Sequence, residues 1–316
     1  MQTSAKIYVA GHRGMVGSAL VRRLRSAGYS RIITRTSTEL DLRNGPAVHR
    51  FFESERPDHV FLAAAKVGGI LANSSYPADF LFDNLMIQTN VIDEAYRNGV
   101  QSLLFLGSSC IYPKLAPQPI REEYLLTGPL EPTNEAYAIA KIAGIKTCAA
   151  YREQHGCHFV SVMPTNLYGP NDNYDLDTSH VLPALIRKFH EAKMEGHDEV
   201  IVWGTGQPRR EFMHADDLAD ACVFLMENES GEDLVNIGTG KDLTISELAQ
   251  LLKDITGFEG RISFDHEKPD GTPRKLLDVS RLHSLGWRHS IELEEGLRNA
   301  YHDYVQQYDR AAIETI

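Results

Sequence analysis

Four cysteines stand in 316 residues, none in a CxxC pair and none set among histidines at metal-ligand spacing. A disulfide-built domain and a zinc site are both excluded from the expectations on that count. Basic residues are in deficit: 32 Lys and Arg against 43 Asp and Glu leave a formal net charge of -11. Nucleic acid and anionic membrane, which need basic surface, are therefore not the expected partners. A phosphate ligand is not excluded, since it needs only a local cluster of cations. No apolar run approaches the ~20 residues of a membrane-spanning helix. The N-terminal Met1-Gln-Thr-Ser-Ala-Lys6 leads straight into a strand-like Ile7–Ala10 with no signal-peptide core, which predicts a cytoplasmic protein. What is present is 42% hydrophobic content, enough for one large core and a second, smaller one.

The first half alternates strands and helices. A strand at 7–10 meets Gly11-His12-Arg13-Gly14-Met15-Val16-Gly17, and a helix follows over 18–28. Strand, glycine turn and helix in that order suit a dinucleotide phosphate site: Gly11 for the tight turn, Gly14 for backbone approach, Gly17 for close helix packing. A strand at 31–36 carries Arg35 where an NAD-preferring site would place an acid. With Arg13 it predicts preference for the extra phosphate of NADP(H). A helix over 45–55, a strand over 59–65, a helix over 78–98 and strands at 102–106 and 157–163 extend the pattern. It predicts an α/β protein built on a Rossmann-type doubly wound parallel sheet. The expected division is 1–170 for the NADP-binding domain and 171–316 mainly for a smaller substrate-binding lobe, with some later segments returning to the first. In that lobe, helices are expected at 181–194, 216–227, 244–256 and 293–308, strands at 200–203, 234–237 and 261–264, and a turn at Arg209-Arg210.

The chemistry centres on Tyr137-Ala-Ile-Ala-Lys141. Positions four apart share a helix face, so phenol and ammonium can enter one site. An ammonium ~6 Å away at an effective dielectric of ~20 favours phenolate by roughly 3 kcal/mol, about two pKa units. Such a lowered phenol would be an acid/base for neutral pH.

The glycine turn, the strand-end pair Ser108-Ser109 and the Tyr137/Lys141 spacing together resemble the extended short-chain dehydrogenase/reductases, along the whole chain. Further stretches, Ala63–Gly69, Leu106–Pro113, Glu131–Glu135, Val162–Gly169 and Lys268–Lys275, resemble one branch of that family. That resemblance implies a homodimeric enzyme acting on GDP-4-keto-6-deoxy-D-mannose. It implies inversion at C3 and C5 and NADPH-dependent reduction at C4, giving GDP-L-fucose. Both inverted carbons lie α to the ketone, so one oxyanion site at O4 serves every step. Ser108 and Tyr137 match the O4 contacts, and Lys141 the tuner of Tyr137 and holder of the nicotinamide ribose. Cys110 matches the epimerisation base and His180 the acid, and the free thiol (~8.5) and imidazole (~6.5) both exchange protons at cellular pH. Cofactor positions carried over are Gly11, His12, Arg13, Gly14, Met15, Val16, Gly17, Arg35, Asp41, Leu42, Leu106, Gly107, Lys141, Pro164, Asn166, Leu167 and His180. Lys188, Trp203, Arg210, Asp270 and Lys275 match positions that hold the GDP end. Lys188 stands where arginine is usual, and Ser37 where a second arginine often follows. Two alternatives stay open: another nucleotide-sugar epimerase or dehydratase that keeps NAD oxidised, and a non-catalytic NADP-sensing protein. A 4,6-dehydratase would show an acid pair after the strand-end serine, where Ser109-Cys110 stands. A sensor would be free to lose Tyr137 or Lys141.

Overall fold

The computed structural model describes residues 1–228, 234–268 and 270–314. Strand β1 (Ile7–Ala10) and helix α1 (Met15–Ser26) open the chain, followed by β2 (Ile32–Ile33), α2 (Gly45–Glu55), β3 (His59–Leu62), α3 (Ile70–Ser75), α4 (Pro77–Arg97) and β4 (Ser102–Leu106). Then come α5 (Glu135–His155), β5 (His158–Pro164), β6 (Asn166–Tyr168), α6 (Val181–Glu195), β7 (Glu199–Trp203), β8 (Arg209–His214) and α7 (Ala215–Glu227). The chain closes with β9 (Leu234–Ile237), β10 (Asp242–Thr244), α8 (Ile245–Thr256), β11 (Arg261–Asp265), β12 (Arg274–Lys275), α9 (Ser280–Ser284) and α10 (Leu293–Glu314).

The main sheet has six strands in the order β2-β1-β3-β4-β5-β9, every neighbouring pair parallel. The order reverses between β1 and β3, which opens a crevice at their carboxyl ends, the usual ligand position in such sheets. The strands are mostly apolar runs because both faces are covered, with Ser161 and Asn236 among the few buried polar residues. One face packs against α2, α4 and α5 through Phe52, Val60, Val91, Phe105 and Ile145; the other packs against α1 and α7 through Ile7, Leu20, Phe61, Val162 and Leu218. A separate core of Leu185, Phe189, Val202, Leu248, Leu252 and Leu297 unites α6, α8, α10 and β7.

β9 pairs with β5 in the main sheet although it follows β6, β7 and β8 in the chain. Two differences stand out. The expected strand at 31–36 shrinks to two paired residues, because the chain beyond Ile33 leaves the sheet edge. Arg209-Arg210, expected in a turn, begin β8, which pairs with β6, β10 and β12. Its Glu211 is buried, and its carboxylate accepts the backbone N–H groups of Thr239, Gly240 and Leu277 at 2.6, 2.7 and 3.0 Å. Those three bonds tie the second lobe to the return strand.

Helix α5 is seated on the sheet through Gly144. A side chain there would collide with the Phe105 ring and stand 2.9 Å from the Gln88 side chain. Gln88 in turn donates to the Ala140 carbonyl at 2.6 Å, a buried strut from α4 to α5. Gly144→Val is expected to lower stability by at least about 2 kcal/mol, the range for overpacking a filled core. Urea unfolding measures it, and an unchanged midpoint would show that α5 does not rest on Phe105.

Candidate active site

β1 ends at Ala10 and the chain turns at once. Gly11 takes φ +84°, and a side chain there would stand 2.7 Å from the Ala64 backbone. Gly17, inside α1, lies against the Gly11 carbonyl with no space for a Cβ. Gly14 is different. Only the Gly11 carbonyl, at 3.6 Å, approaches its missing Cβ, so its bareness leaves room on the outside of the turn. Gly14 also caps α1, whose first-turn N–H groups, beginning with Met15 and Val16, have no partner within the helix. Backbone donors around open space form the cradle that a dinucleotide pyrophosphate fits.

Arg13 is exposed beside this turn. Glu39 is held below the usual carboxylate range, first by hydrogen bonds from Thr36 and then by the charges of Arg35 and Arg13. Both guanidiniums therefore act on the same ground beyond β2. Arg35 is not idle there: it donates to Glu55 at 2.6 Å and to the Thr34 carbonyl at 2.8 Å, and lies over the Phe51 ring. Asp41 is engaged by Arg43 through two bonds of 3.0 Å. Leu42 is buried, its carbonyl accepting from Asn90 at 2.8 Å. Asn166 donates to the Glu211 carbonyl at 2.8 Å, and Leu167 packs into the α1/α7 core. Gly107 at the end of β4 bonds to Val162, beside Pro164 at the end of β5. Of the expected cofactor positions, the glycine turn with His12, Arg13, Met15 and Val16 lies at the crevice. Asp41, Leu42 and Asn166 spend their side chains on the fold.

The reacting groups meet where β4 gives way to a 3-10 turn at Ser109–Ile111. Ser108 caps that turn, accepting from the Cys110 N–H at 3.3 Å, and its Oγ lies 3.0 Å from the Cys110 Sγ. From α5, Lys141 is buried and donates through Nζ to the Leu106 carbonyl at 2.7 Å. Its Nζ stands 5.8 Å from the Tyr137 ring centre and 4.9 Å from that of Phe105. Phe80 of α4 meets the Tyr137 ring edge-on at 6.3 Å.

The electrostatics overturn one expectation. Burial pushes the Tyr137 phenol well above its ordinary value, and a Cys110 thiolate would push it further, while the Ser108 hydroxyl pulls the other way. Lys141 does not lower it. Burial brings the Lys141 ammonium itself down to about 8, opposed by the charge of Cys110. Loss of water therefore acts on both groups and outweighs the attraction between them. Tyr137 is a held proton donor, not a ready phenolate.

His180 caps α6 without a side-chain capping bond. The stretch before it is fixed on several sides. Gly69 donates its N–H to the Thr178 carbonyl at 2.8 Å, and a side chain at Gly69 would stand 2.5 Å from the Ser179 carbonyl. The Asp175 carboxylate accepts from the Thr178 N–H at 3.0 Å and Oγ1 at 2.8 Å, and Asn171 donates to Ser18 at 3.1 Å. Gly69 is itself placed by Asn73, which donates to its carbonyl, and by Asn84, which brackets the Lys66 backbone. Gly69, Asn73 and Asn84 were missed as site-builders. Only the Gly68-Gly69 pair offered a signal. His180 is solvent-accessible at the cleft edge, where loss of hydration, then the charge of Lys275, holds its imidazole below the ordinary value.

Lys275 links the halves of the site. It lines a small cavity with Ser109, Cys110 and Asn134, and its charge reaches His180. In β12 it stands opposite Arg210 of β8. Arg209 and Arg274 share Asp242, leaving Arg210 and Lys275 as the inner cations. Trp203 is 49% exposed, with Lys188 Nζ at 5.4 Å and Lys268 Nζ at 5.1 Å from its ring. Lys268 was not singled out in the sequence, although it opens the 268–275 stretch; Pro269 there lies outside the described residues. Asp270, expected to accept from the ligand, has its carboxylate on Thr205 at 2.7 and 2.8 Å, so it braces the turn after Trp203.

Lys275→Met removes a positive charge that opposes protonation of His180. The imidazole is therefore expected to titrate at higher pH in the variant than in the wild type, read by NMR of the His180 ring. A value that stays put or falls would separate Lys275 from His180.

A glycine-turn crevice, a Tyr/Lys pair whose lysine is buried and a strand-end Ser/Cys pair define a nucleotide-dependent epimerase or reductase, and the comparisons agree. The chain belongs to the NAD dependent epimerase/dehydratase family, whose family model matches residues 7–238. Within it the similarity runs to GDP-L-fucose synthases. The chain is 63% identical over 303 residues to GDP-L-fucose synthase 1 of Arabidopsis thaliana, covering 96% of this chain and 94% of that protein. It is 56% identical over 314 residues to GDP-L-fucose synthase of Escherichia coli (strain K12), covering 96% of this chain and 98% of that one. A GDP-L-fucose synthetase from Naegleria fowleri bound to NADP superposes with a TM-score of 0.90 at 28% identity, covering 98% of this chain and 96% of that chain.

Proposed function

We propose that this chain carries out 3,5-epimerisation and NADPH-dependent C4 reduction of GDP-4-keto-6-deoxy-D-mannose to GDP-L-fucose. Ser108, Cys110, Tyr137, Lys141 and His180 form its catalytic set. The observation that carries the reading is the strand-end Ser108/Cys110 pair at 3.0 Å beside a half-buried Tyr137, with Lys141 buried behind it. A reductase needs only the tyrosine, lysine and serine. The thiol at the same spot is what an epimerase adds. Full-length relatives at 63% and 56% identity support the choice of sugar nucleotide.

NADPH, when bound, supplies the hydride for C4. Residues of the 11–17 turn would hold its pyrophosphate, and Arg13 with Arg35 would hold the adenosine phosphate. Tyr137, kept protonated by burial, donates to O4, and the Ser108 hydroxyl adds a second donor, so charge on O4 is met before it forms. Cys110 takes the proton from the carbon next to the ketone: the C–H bond breaks, its electron pair moves to O4 as enolate, and sulfur gains the proton. His180 returns a proton from the opposite face. Its lowered pKa makes the imidazolium the stronger acid, at the cost of a smaller charged fraction at neutral pH. Lys141 keeps two ammonium donors beyond the one given to Leu106, enough for the nicotinamide ribose. Arg210 and Lys275 neutralise the diphosphate, and Trp203 with Lys188 and Lys268 offers a flat, cation-flanked surface for the base.

A homodimer through α4 and α5 fits the exposed Phe82 and Ile139 on those helices. Four free thiols fit a reducing, cytoplasmic setting. The boundary near 170 fits the change from main-sheet strands to the 171–180 stretch, with β9 returning.

In D₂O with the keto sugar and no cofactor, wild type is expected to place deuterium at C3 and C5. With NADPH it consumes one equivalent of cofactor per sugar. Cys110→Ser should lose ~10²–10⁴ in exchange rate while still reducing C4. Exchange at the wild-type rate would remove Cys110 from the mechanism. NADPH should be preferred to NADH by more than about tenfold, as one charge-assisted bond is worth roughly 1.5–3 kcal/mol. Because Arg35 is already paired with Glu55, Arg13→Ala should erode that preference more than Arg35→Ala, measured as the ratio of kcat/KM values.

A further inference from the structure

Asn134 begins α5 as its capping residue, and asparagine is among the best helix caps. Here it makes no capping bond. Its Oδ1 is instead buried with no hydrogen-bond partner. An unmade bond at a buried carbonyl oxygen is costly, and evolution has an easy remedy in the helix N–H groups alongside. The side chain lines the small cavity shared by Cys110 and Lys275. It stands three positions before Tyr137 in the sequence, at the mouth of the helix that carries the phenol. Glu131, which lines the same cavity, is paired in charge with Lys114 at 2.9 Å and accepts from Thr133 through Oε1, while its Oε2 makes no hydrogen bond. Of these two acceptors Glu131 Oε2 has the Lys114 charge, and the Asn134 oxygen is the neutral one left with no partner, in the cavity that Cys110 also lines.

We infer that Asn134 accepts a hydrogen bond from a ring hydroxyl of the sugar, fixing which carbon faces Cys110. The inference rests on the epimerase/reductase reading above. The chemistry selects the donor: a buried neutral amide oxygen between a thiol and an ammonium is matched by a neutral O–H, and the keto sugar carries its free hydroxyls at C2 and C3, the latter on a carbon to be inverted. A base that must reach C3 and C5 in turn needs the ring held in a defined register. Tyr137 and Ser108 fix only O4, about which the ring can still pivot. A contact at a second ring atom removes that freedom.

The test compares wild type with Asn134→Leu, of similar size and without the acceptor. NADPH oxidation is followed with GDP-4-keto-6-deoxy-D-mannose and with its 2-deoxy and 3-deoxy analogues. On the full sugar the variant should lose roughly tenfold or more in kcat/KM, because a hydroxyl is left unpaired in the site. On the analogue lacking the partnered hydroxyl, wild type and variant should agree within about threefold. Thermal unfolding should show the variant as stable as wild type or more so, since an orphaned polar atom has been removed. Should Asn134→Leu fail to fold, Asn134→Ala carries the same comparison. An equal loss on all three sugars, or no loss on the full sugar because a water met the amide, overturns the inference. Failure of the underlying reading is distinct: wild type itself would then leave NADPH unoxidised with the full sugar.

Discussion

The bond from the Lys141 ammonium to the Leu106 carbonyl is the constraint on which the site depends. It joins the catalytic helix to the last residue of a central strand, at the point where that strand stops and the Ser108 turn begins. Ser108 and Tyr137, the donors proposed for O4, each lie within a few residues of one end of this bond. Gly144, farther along α5, seats the same helix on Phe105 of the same strand, and Gln88 braces it from α4. Helix and strand end therefore cannot shift independently. A charged group is expensive to bury, and its lowered pKa records that cost. The return is position: Tyr137 is held by a neighbour that is itself held.

The second lobe reaches this fixed point by a different route. Glu211 anchors the 239–240 turn and Leu277 to β8. Asn236 of the return strand accepts from Tyr112 at 2.6 Å and donates to the Ile120 carbonyl at 2.9 Å. The loop that leaves Cys110 and the strand that brings Lys275 are thus sewn to the same buried polar groups. His180 arrives from the third direction, with Gly69 allowing two backbones to meet where no side chain fits. Three chain segments far apart in sequence come together around one small volume, with mostly backbone atoms and buried carboxamides making the joins.

That division explains what could be read from the chain. Rossmann-type topology followed from apolar strands alternating with amphipathic helices, and most element limits lay within two residues. Gly11, Gly14 and Gly17 were legible because a side chain at two of them has nowhere to go, and at the third would fill a ligand's space. Side-chain partners were not legible. Arg35, expected at a phosphate, also pairs with Glu55 twenty residues on, a partner the sequence did not show. Asp270 was assigned to the ligand, yet it braces Thr205. Arg209-Arg210 were placed in a turn because charge marks surface, whereas Asp242 neutralises Arg209 and lets the segment pair as a strand. In each case the deciding group is remote in sequence, and no local pattern announces it.

The Tyr137 result has the widest reach. Spacing alone pointed to a phenol drawn down toward neutrality by Lys141, and that argument counted the attraction between the two groups without the loss of hydration of each. In the folded site the dominant effect is loss of hydration, which drives phenol and ammonium toward their neutral forms together. For an enzyme that must stabilise charge on O4 through enolates and an alkoxide, a phenol that keeps its proton is the better group. A phenolate would repel the charge it is meant to receive. In the proposed mechanism proton exchange at carbon falls to the Cys110 thiol beside Ser108 and to the His180 imidazole from another segment, and charge on Cys110 raises the Tyr137 phenol further, so the donor at O4 keeps its proton. Separating held protons from mobile ones lets one pocket run inversion and reduction on the same ketone.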